Sequence, residues 1–506
     1  MKSKTSLLVL LLVCLISGVQ AQSKTFENIG LIKSWHSGVI KEGDAVAGYY
    51  HFSRLVKQKK KSDAFRILIQ DADLTTVVDK TIEPEDNLYL FEVAYNGEQY
   101  CANFFNRTKR QLELHFFNAL AEEVAVVPLE LNANEKFIMT RRYQSGLGDF
   151  PTLFPVANKG FIIIKYSEHG AKLGYSIQYF PSKAPSDGWK LLSDADSDKV
   201  EHAVFVTANE GHAVFNIQTK RTLAGPLAAQ NLMAVNLRSG EILYRVPLKN
   251  ETYDFYLMHA ELEGTTGKLT FISNYAKITD HLYDAEMEGF SQVVVEPSGA
   301  FSEITLVSLK EKVQPLLPEN TVIDPTKNLY FHQFIPKSNG NYYAIAELYT
   351  TGTRLNNHPV RIANILFKFQ DLLVCEFNSD FELAGIEVVN KGVNVVSLMQ
   401  NANYFGVRFM AEQGNMRRGD GYRFSNGDPV ALSLTFLDEK HTKKEYIWEL
   451  NTVEWLDDEA QYSKQVITTT GKNVKLMPAK EGFVMLVDYI RPEKRIETRL
   501  VKVDAM

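Results

Sequence analysis

Cysteine is scarce in this chain of 506 residues, with three in all, at Cys14, Cys101 and Cys375. So low a count excludes a disulfide-built scaffold, and no histidines or cysteines stand at the spacing a zinc site needs. Cys101 and Cys375 each lie inside an alternating apolar run, which predicts buried, unreactive thiols. A single disulfide between them stays open as the alternative. No apolar run after residue 21 is long enough to cross a bilayer, so no transmembrane anchor is expected. Positive charge is not in excess: 55 Lys and Arg stand against 61 Asp and Glu, which argues against a dedicated nucleic-acid binder. The one basic run, Lys57, Lys59, Lys60 and Lys61, falls between two strand-like segments, as a solvated hairpin tip would.

Long amphipathic helices are nearly missing, and only 119–125 and 457–462 read as single helical turns. Catalytic signatures are missing too: no G-x-S-x-G elbow, H-E-x-x-H, phosphate loop or C-x-x-C is present. Asp194, Asp196 and Asp198 have the opening spacing of a calcium loop. Lys199 stands where the tight-turn glycine belongs, however, and Phe205 where the bidentate glutamate would be. The histidines are scattered, so neither a metal nor a cofactor is expected. His259 and His332 fall near inner strands, where a packing histidine is commoner than a ligand.

What is present begins with residues 1–21. Lys2 and Lys4 precede an apolar stretch over 7–16, and Val19-Gln20-Ala21 makes a small-residue cleavage site, the pattern of a secretory signal peptide cut after Ala21. Leu11-Leu12-Val13 ahead of Cys14 lacks the small residues of a lipoprotein signal. The mature chain, 22–506, is therefore expected to be secreted or periplasmic, with attachment at the cell surface open. Asn106-Arg107-Thr108 and Asn250-Glu251-Thr252 are glycosylation sequons.

The mature chain repeats one pattern. Gly43, Gly97, Gly160, Gly211, Gly267, Gly340 and Gly482 each stand just ahead of a β-branched or aromatic run. An eighth unit over 401–409 uses Asn403 at the turn, since asparagine tolerates the left-handed conformation. The fourth unit shows four strands most plainly, at 202–207, 212–218, 232–237 and 241–247. In the sixth, 362–370 reads as an extra or extended strand. The seventh unit has its third and fourth strands at 430–436 and 445–450. The last unit has only three strands, ending at 497–503, while 28–33 is a lone strand near the N-terminus.

These features predict an all-β fold. It is a single β-propeller of about eight (seven to eight) four-stranded blades, in which the N-terminal strand completes the last blade. The structural alternative is two or three β-sandwich domains, with 315–325 as a linker.

In an antiparallel four-stranded blade, the first and third turns emerge on one face and the other connections on the opposite face. The long connections, at 132–150, 220–231, 275–289, 310–327, 349–361 and 411–428, would all share that opposite face. They hold Arg141, Arg142, Tyr143, Tyr349, Arg354, His358, Arg417, Arg418, Tyr422 and Arg423. Arginine offers planar bidentate donors to carboxylate or phosphate, and tyrosine an amphipathic stacking surface. Arg141, Arg142, Tyr143, Arg354, His358, Arg417, Arg418 and Tyr422 are accordingly the candidate binding residues. Solvated loop charges paired with Asp149, Asp420 or Asp428 are the plainer reading of the same residues.

Residues 234–244 resemble one blade motif of quinone-dependent dehydrogenases, with Tyr244 in place of tryptophan, but occur once where that family repeats the motif. Ser186-Asp187-Gly188-Trp189 is similar to a sialidase Asp-box without its spacing. With its signal and its Ala21-Gln22 junction, the whole chain resembles the uncharacterised secreted proteins of Gram-negative Bacteroidota. The resemblance rests on general texture and assigns no functional residue. The expected function is a non-catalytic binding or scaffolding propeller, monomeric, whose loop-rich face takes a glycan, an anionic polymer of the cell envelope or a protein partner. The alternative is a hydrolase or lyase acting on a polysaccharide or other polymer, with Asp149, Asp254, His259 and His332 converging on the axis.

Overall fold

The computed structural model describes residues 22–503 apart from 33–35, 44, 57–62, 134, 137–151, 170–171, 195–196, 198, 223–226, 265, 279–285, 318–327, 337–340, 356–362, 400–422, 426–431, 442–445, 457–458 and 470–472. Eight antiparallel sheets follow one another along the chain, each a blade of a β-propeller. Blade 1 takes Ser37–Glu42, Ala45–Leu55, Phe65–Asp71 and Thr76–Ile82, and blade 2 Leu88–Tyr95, Tyr100–Asn106, Gln111–Phe117 and Glu123–Leu129. Blade 3 has Leu153–Val156, Gly160–His169, Lys172–Pro181 and Lys190–Leu192; blade 4 has Val200–Ala208, His212–Lys220, Leu227–Asn236 and Ile242–Pro247. Blade 5 has Tyr253–Leu262, Leu269–Lys277, Gly289–Val295 and Phe301–Ser308, and blade 6 has Asn328–Pro336, Tyr342–Leu355, Ala363–Phe377 and Leu383–Val389, with Asn394–Met399 as a fifth strand. Blade 7 takes Arg423–Ser425, Leu432–His441, Tyr446–Leu456 and Glu459–Thr469. Blade 8 takes Asn473–Pro478, Phe483–Ile490 and Arg495–Lys502, completed from the N-terminus by Ser23–Phe26.

First strands of neighbouring blades touch around the axis at the joints of blades 1 and 2, 2 and 3, 4 and 5, 5 and 6, and 8 and 1, and the fourth strands form the exposed rim. Between blades the pleated faces interlock. Tyr50, Phe52, Phe65 and Ile67 of blade 1 pack on Leu88, Leu90, Tyr100 and Phe104 of blade 2. The same alternation in blades 3 and 4 sets Ile162, Tyr175 and Ile177 against Phe215, Ile217 and Met233. Each such side chain removed from water contributes about 1.5–3 kcal/mol, so the seams hold the ring.

The expected closure holds, but through a different segment. Ser23, Lys24, Thr25 and Phe26 pair with Arg499, Thr498, Glu497 and Ile496, whereas Ile29–Leu31, inside the expected 28–33, pairs with the second strand of blade 1. The physical reason is exposure. Ser23, Lys24 and Thr25 face solvent on the rim and carry no apolar alternation, while Ile29 is buried between blades 8 and 1. The N-terminal segment thus grips both sides of the joint. Its second contact adds hydrogen bonds from Ile29 N to the Lys494 carbonyl (2.7 Å) and from the Tyr489 hydroxyl to the Gly30 carbonyl (3.1 Å).

Three assignments are corrected, in blade 7, at 457–462 and at 119–125. In blade 7 the expected third and fourth strands are the second and third, because Arg423–Ser425 is the inner strand. The unit expected at 401–409 lies outside the described residues. Residues 457–462, polar and rich in helix formers, fall largely within Glu459–Thr469, where pairing along Tyr446–Leu456 overrides propensity. Likewise 119–125 divides between a turn and the outer strand Glu123–Leu129.

Asparagine closes the turns more regularly than glycine. The side-chain carbonyls of Asn96, Asn106, Asn118, Asn209, Asn236, Asn250 and Asn378 each accept two backbone N–H groups of their own turn. At Asn96 the amide nitrogen also donates to Ser182 Oγ (2.7 Å) and the Gly160 carbonyl, tying blade 2 to blade 3. Gly97, next to it, has φ 104, open to glycine alone. Asn106 is fully buried and bonds Asp86 and Glu113, so the sequon around it is closed in the folded chain. Cys101 and Cys375 are free and buried.

Asn96→Ala is expected to lower unfolding stability by about 2–3 kcal/mol, since buried partners lose their bonds; an unchanged denaturation midpoint would contradict the assignment. Deleting residues 22–26 should lower the thermal midpoint and leave the outer edge of Arg495–Lys502 open to pairing between molecules. Light scattering checks this: a monomer of unaltered midpoint would refute the closure.

Candidate functional site

Blade 6 departs from its neighbours. Its second and third strands run to 14 and 15 residues. Their pairing continues past the blade, from Tyr349↔Phe369 to Leu355↔Ala363. Over Leu372–Phe377 the third strand has the fourth strand as outer neighbour; over Asn364–Phe369 it has Asn394–Met399 instead. The result is a three-stranded arm that leaves the ring on the side where second and third strands connect. Part of the expected connection 349–361 is therefore strand, because β-branched Thr350, Thr351 and Thr353 extend the ladder.

At the root of the arm lies a buried ionic cluster. The second strand bulges between Glu347 and Tyr349, where the arm begins. Lys391, in the link between the fourth and fifth strands, donates from Nζ to Glu347 Oε1 at 2.6 Å, and its backbone N–H donates to Asp371 Oδ1 at 3.1 Å. His332, the extra residue of a bulge in the inner strand, lies 3.0 Å from Glu347 Oε2 through Nε2. The side chains of Glu347 and Lys391 are 1% and 0% exposed, and they lie where the arm departs. Burial alone would push the Glu347 carboxyl up, but the charge of Lys391 and the bond from His332 hold it below the ordinary range. Burial pulls His332 down, against the attraction of Glu347.

Of the candidate binding residues, Arg354 lies on the arm, its backbone opposite Asn364. Arg141, Arg142, Tyr143, His358, Arg417, Arg418 and Tyr422 lie outside the described residues, as does Asp149. Tyr349, counted with the loops, is buried at the root of the arm, tilted against Phe369 with 5.8 Å between ring centres. Arg423 begins the inner strand of blade 7.

The polymer-cleaving alternative placed Asp254, His259 and His332 together. The structure gives them separate partners: His259 is bonded to Glu261 (3.1 Å) and tilted against Phe334, while Asp254 bridges to Lys249 through the backbone. Glu347 and Lys391 escaped notice in the sequence, because only the strand register brings them together. Among the described residues no group of His, Cys, Asp or Glu could hold a metal ion, and no helix is long and apolar enough to cross a membrane.

A family model described as a family of unknown function (DUF6770) matches residues 1–504. The chain belongs to that family. No curated protein matches this DUF6770 member. Among solved structures it is similar to the WD40 domain of SCAP from fission yeast, at 8% identity and TM-score 0.38, over 96% of this chain and 95% of that one. A protein of unknown function from Bacteroides caccae shares 10% identity at TM-score 0.25, over 68% of this chain and 94% of that one. Acylaminoacyl peptidase from Pyrococcus horikoshii shares 6% at TM-score 0.33, over 83% of this chain and 59% of that one. At these levels the ring of this DUF6770 protein rests on its own strand pairing. A β-propeller is a fold that serves as a binding scaffold or beside a catalytic domain.

Glu347→Ala should cost about 3–5 kcal/mol, since it strands the Lys391 charge in the interior. The double variant Glu347→Leu, Lys391→Met should recover most of that in chemical denaturation; equal losses in both would remove the pair as anchor. Burial pushes the Cys375 thiol up to about 12 and raises Cys101 as well. Ellman's reagent should therefore meet neither thiol until the chain unfolds, and fast labelling of the native protein would contradict the seam packing.

Proposed function

We propose that this DUF6770 protein is a secreted binding or scaffolding propeller, and that it presents a ligand surface on the face from which the blade 6 arm rises. The observation that carries the reading is the arm. A plain blade is complete at four strands, whereas here two strands overshoot, recruit a fifth, and are fixed at the root by buried charges. Rigid frames that hold projecting segments concentrate binding residues there. The residues for this role are Arg354 on the arm and His358, which follows it in sequence, with Arg141, Arg142, Tyr143, Arg417, Arg418 and Tyr422 from the sequence that follows blades 2 and 6. Their guanidinium and phenol groups suit an anionic polymer, a glycan or an acidic protein surface. Secretion is read from residues 1–21, with cleavage after Ala21.

A glycan and cell-envelope binding array probed with residues 22–506 tests this. Loss of at least tenfold in affinity is expected for Arg354→Ala and for the pair Arg417→Ala, Arg418→Ala, about 1.4 kcal/mol. Unchanged binding by both variants, each folded, would overturn the assignment of that face.

A further inference from the structure

The ladder that holds the outermost strand of each blade is broken almost all the way round the ring. Between third and fourth strands the register shifts, as at a β-bulge, in blade 1 at Ile69/Gln70 and in blade 2 at Glu123/Ala125. It shifts again in blade 4 at Ala234/Val235, in blade 5 at Val294/Val295 and in blade 6 at Glu376/Phe377. Blade 3 has a fourth strand of only three residues, Lys190–Leu192, and the rim of blade 8 is the four-residue Ser23–Phe26. Pro128 and Pro247, on the rims of blades 2 and 4, carry no N–H at all. Short, kinked or proline-bearing rims keep a sheet edge from pairing with another chain.

Blade 7 is built otherwise. Glu459–Thr469 pairs residue for residue with the third strand, from Tyr446↔Thr469 to Leu456↔Glu459, without a shift. At 11 residues it is the longest fourth strand in the ring, and it holds neither proline nor glycine. Among the described residues no further strand lies outside it. Lys464, Gln465 and Val466 are exposed in succession, while Ile467 turns into the seam with blade 8. Val466, at 61%, stands further into solvent than any other large apolar side chain among the described residues. A long, regular edge carrying an exposed valine is the form that the other rims avoid.

We propose that this edge joins two copies of the chain, by antiparallel pairing of Glu459–Thr469 with its own counterpart about a two-fold axis. An axis that pairs two identical strands in this way runs perpendicular to the sheet, so residues that meet share a face and one residue meets itself. The sequence selects that residue. Gln465-Val466-Ile467-Thr468-Thr469 carries no charge and is mostly β-branched, a composition that pairs well across an antiparallel ladder. Centring on Val466 sets it against itself, Gln465 against Ile467 and Lys464 against Thr468, and keeps the two lysines apart along the ladder. Centring on Lys464 would oppose like charges, and centring on Gln465 would set each valine against a lysine. The strand is thus compatible with itself in a register that also takes Val466 out of water, which is why the occupant is a second copy. The joint lies on the rim, and so is independent of the ligand face at the blade 6 arm.

Sedimentation of residues 22–506 over a concentration series tests this. The mass should rise from one chain to two between about 1 and 100 μM, and one chain throughout would overturn the proposal. Val466→Lys and Val466→Glu each place like charges on the axis and should each weaken association by about tenfold or more. Mixed in equal amounts, the two variants bring opposite charges together and should recover it. Both replace an exposed side chain, so each should keep the unfolding midpoint of the parent. Val77→Lys, on the comparably exposed rim of blade 1 (59%), should leave association unchanged. Association that survives both charged variants, that does not return on mixing, or that is lost equally with Val77→Lys would overturn the proposal.

Discussion

A ring of twisted sheets is stable only when its last seam is filled as well as the others, and here that depends on a short N-terminal segment. Residues 22–31 do two things: Ser23–Phe26 finishes the rim of blade 8, and Ile29–Leu31 lines up with blade 1. Four backbone pairs would be a weak clasp by themselves. They hold because Ile29 is simultaneously driven into the apolar seam with Tyr49, Met485 and Leu500. Every other seam inherits its geometry from that closure, since a wedge can be compressed only when the circle is complete.

Within the seams, apolar and polar layers have different tasks. The aromatic and aliphatic clusters bring blades together without specifying how far each slides along its neighbour. Buried polar contacts fix that register. Glu92 of blade 2 accepts from the Thr152 N–H (2.7 Å), the Thr152 hydroxyl and Leu153 N–H of blade 3, and His36 of blade 1 reaches the Phe91 carbonyl of blade 2 (3.1 Å). Trp189 of blade 3 donates to the Leu237 carbonyl of blade 4 at 2.7 Å. Such bonds add little net energy each but are costly to leave unmade, so a slipped seam is penalised.

The propeller was legible because the apolar alternation of its second and third strands is strong, as in Phe161-Ile162-Ile163-Ile164 and Tyr100-Cys101-Ala102. Rim strands were harder, since Ser23-Lys24-Thr25 must satisfy solvent and shows little period. Inner strands such as Arg423–Ser425 are too short to register. Glycine was a partial guide to turns: Gly43, Gly97, Gly267 and Gly482 do take positive φ, but Asn158 does that work in blade 3, at φ 53. The anchor of the arm was out of reach, because Glu347 and Lys391 are brought together only by a bulge and a change of strand partner. The ligand face stays a proposal drawn from connection lengths, and of its candidate residues only Arg354 falls among the described ones.

The closed turn at Asn96 has a further effect on how the chain ages. Asn-Gly is the dipeptide in which a side-chain amide is most readily lost, because the small following residue lets its nitrogen attack the amide carbon and form a cyclic imide. Here the Asn96 carbonyl oxygen holds two amide hydrogens ahead of it, and its nitrogen is bound to Ser182 and Gly160. Both ends of the amide are thus kept from swinging onto Gly97. A bond set that fastens one blade to the next also protects one of the chain's three Asn-Gly pairs against slow chemical decay.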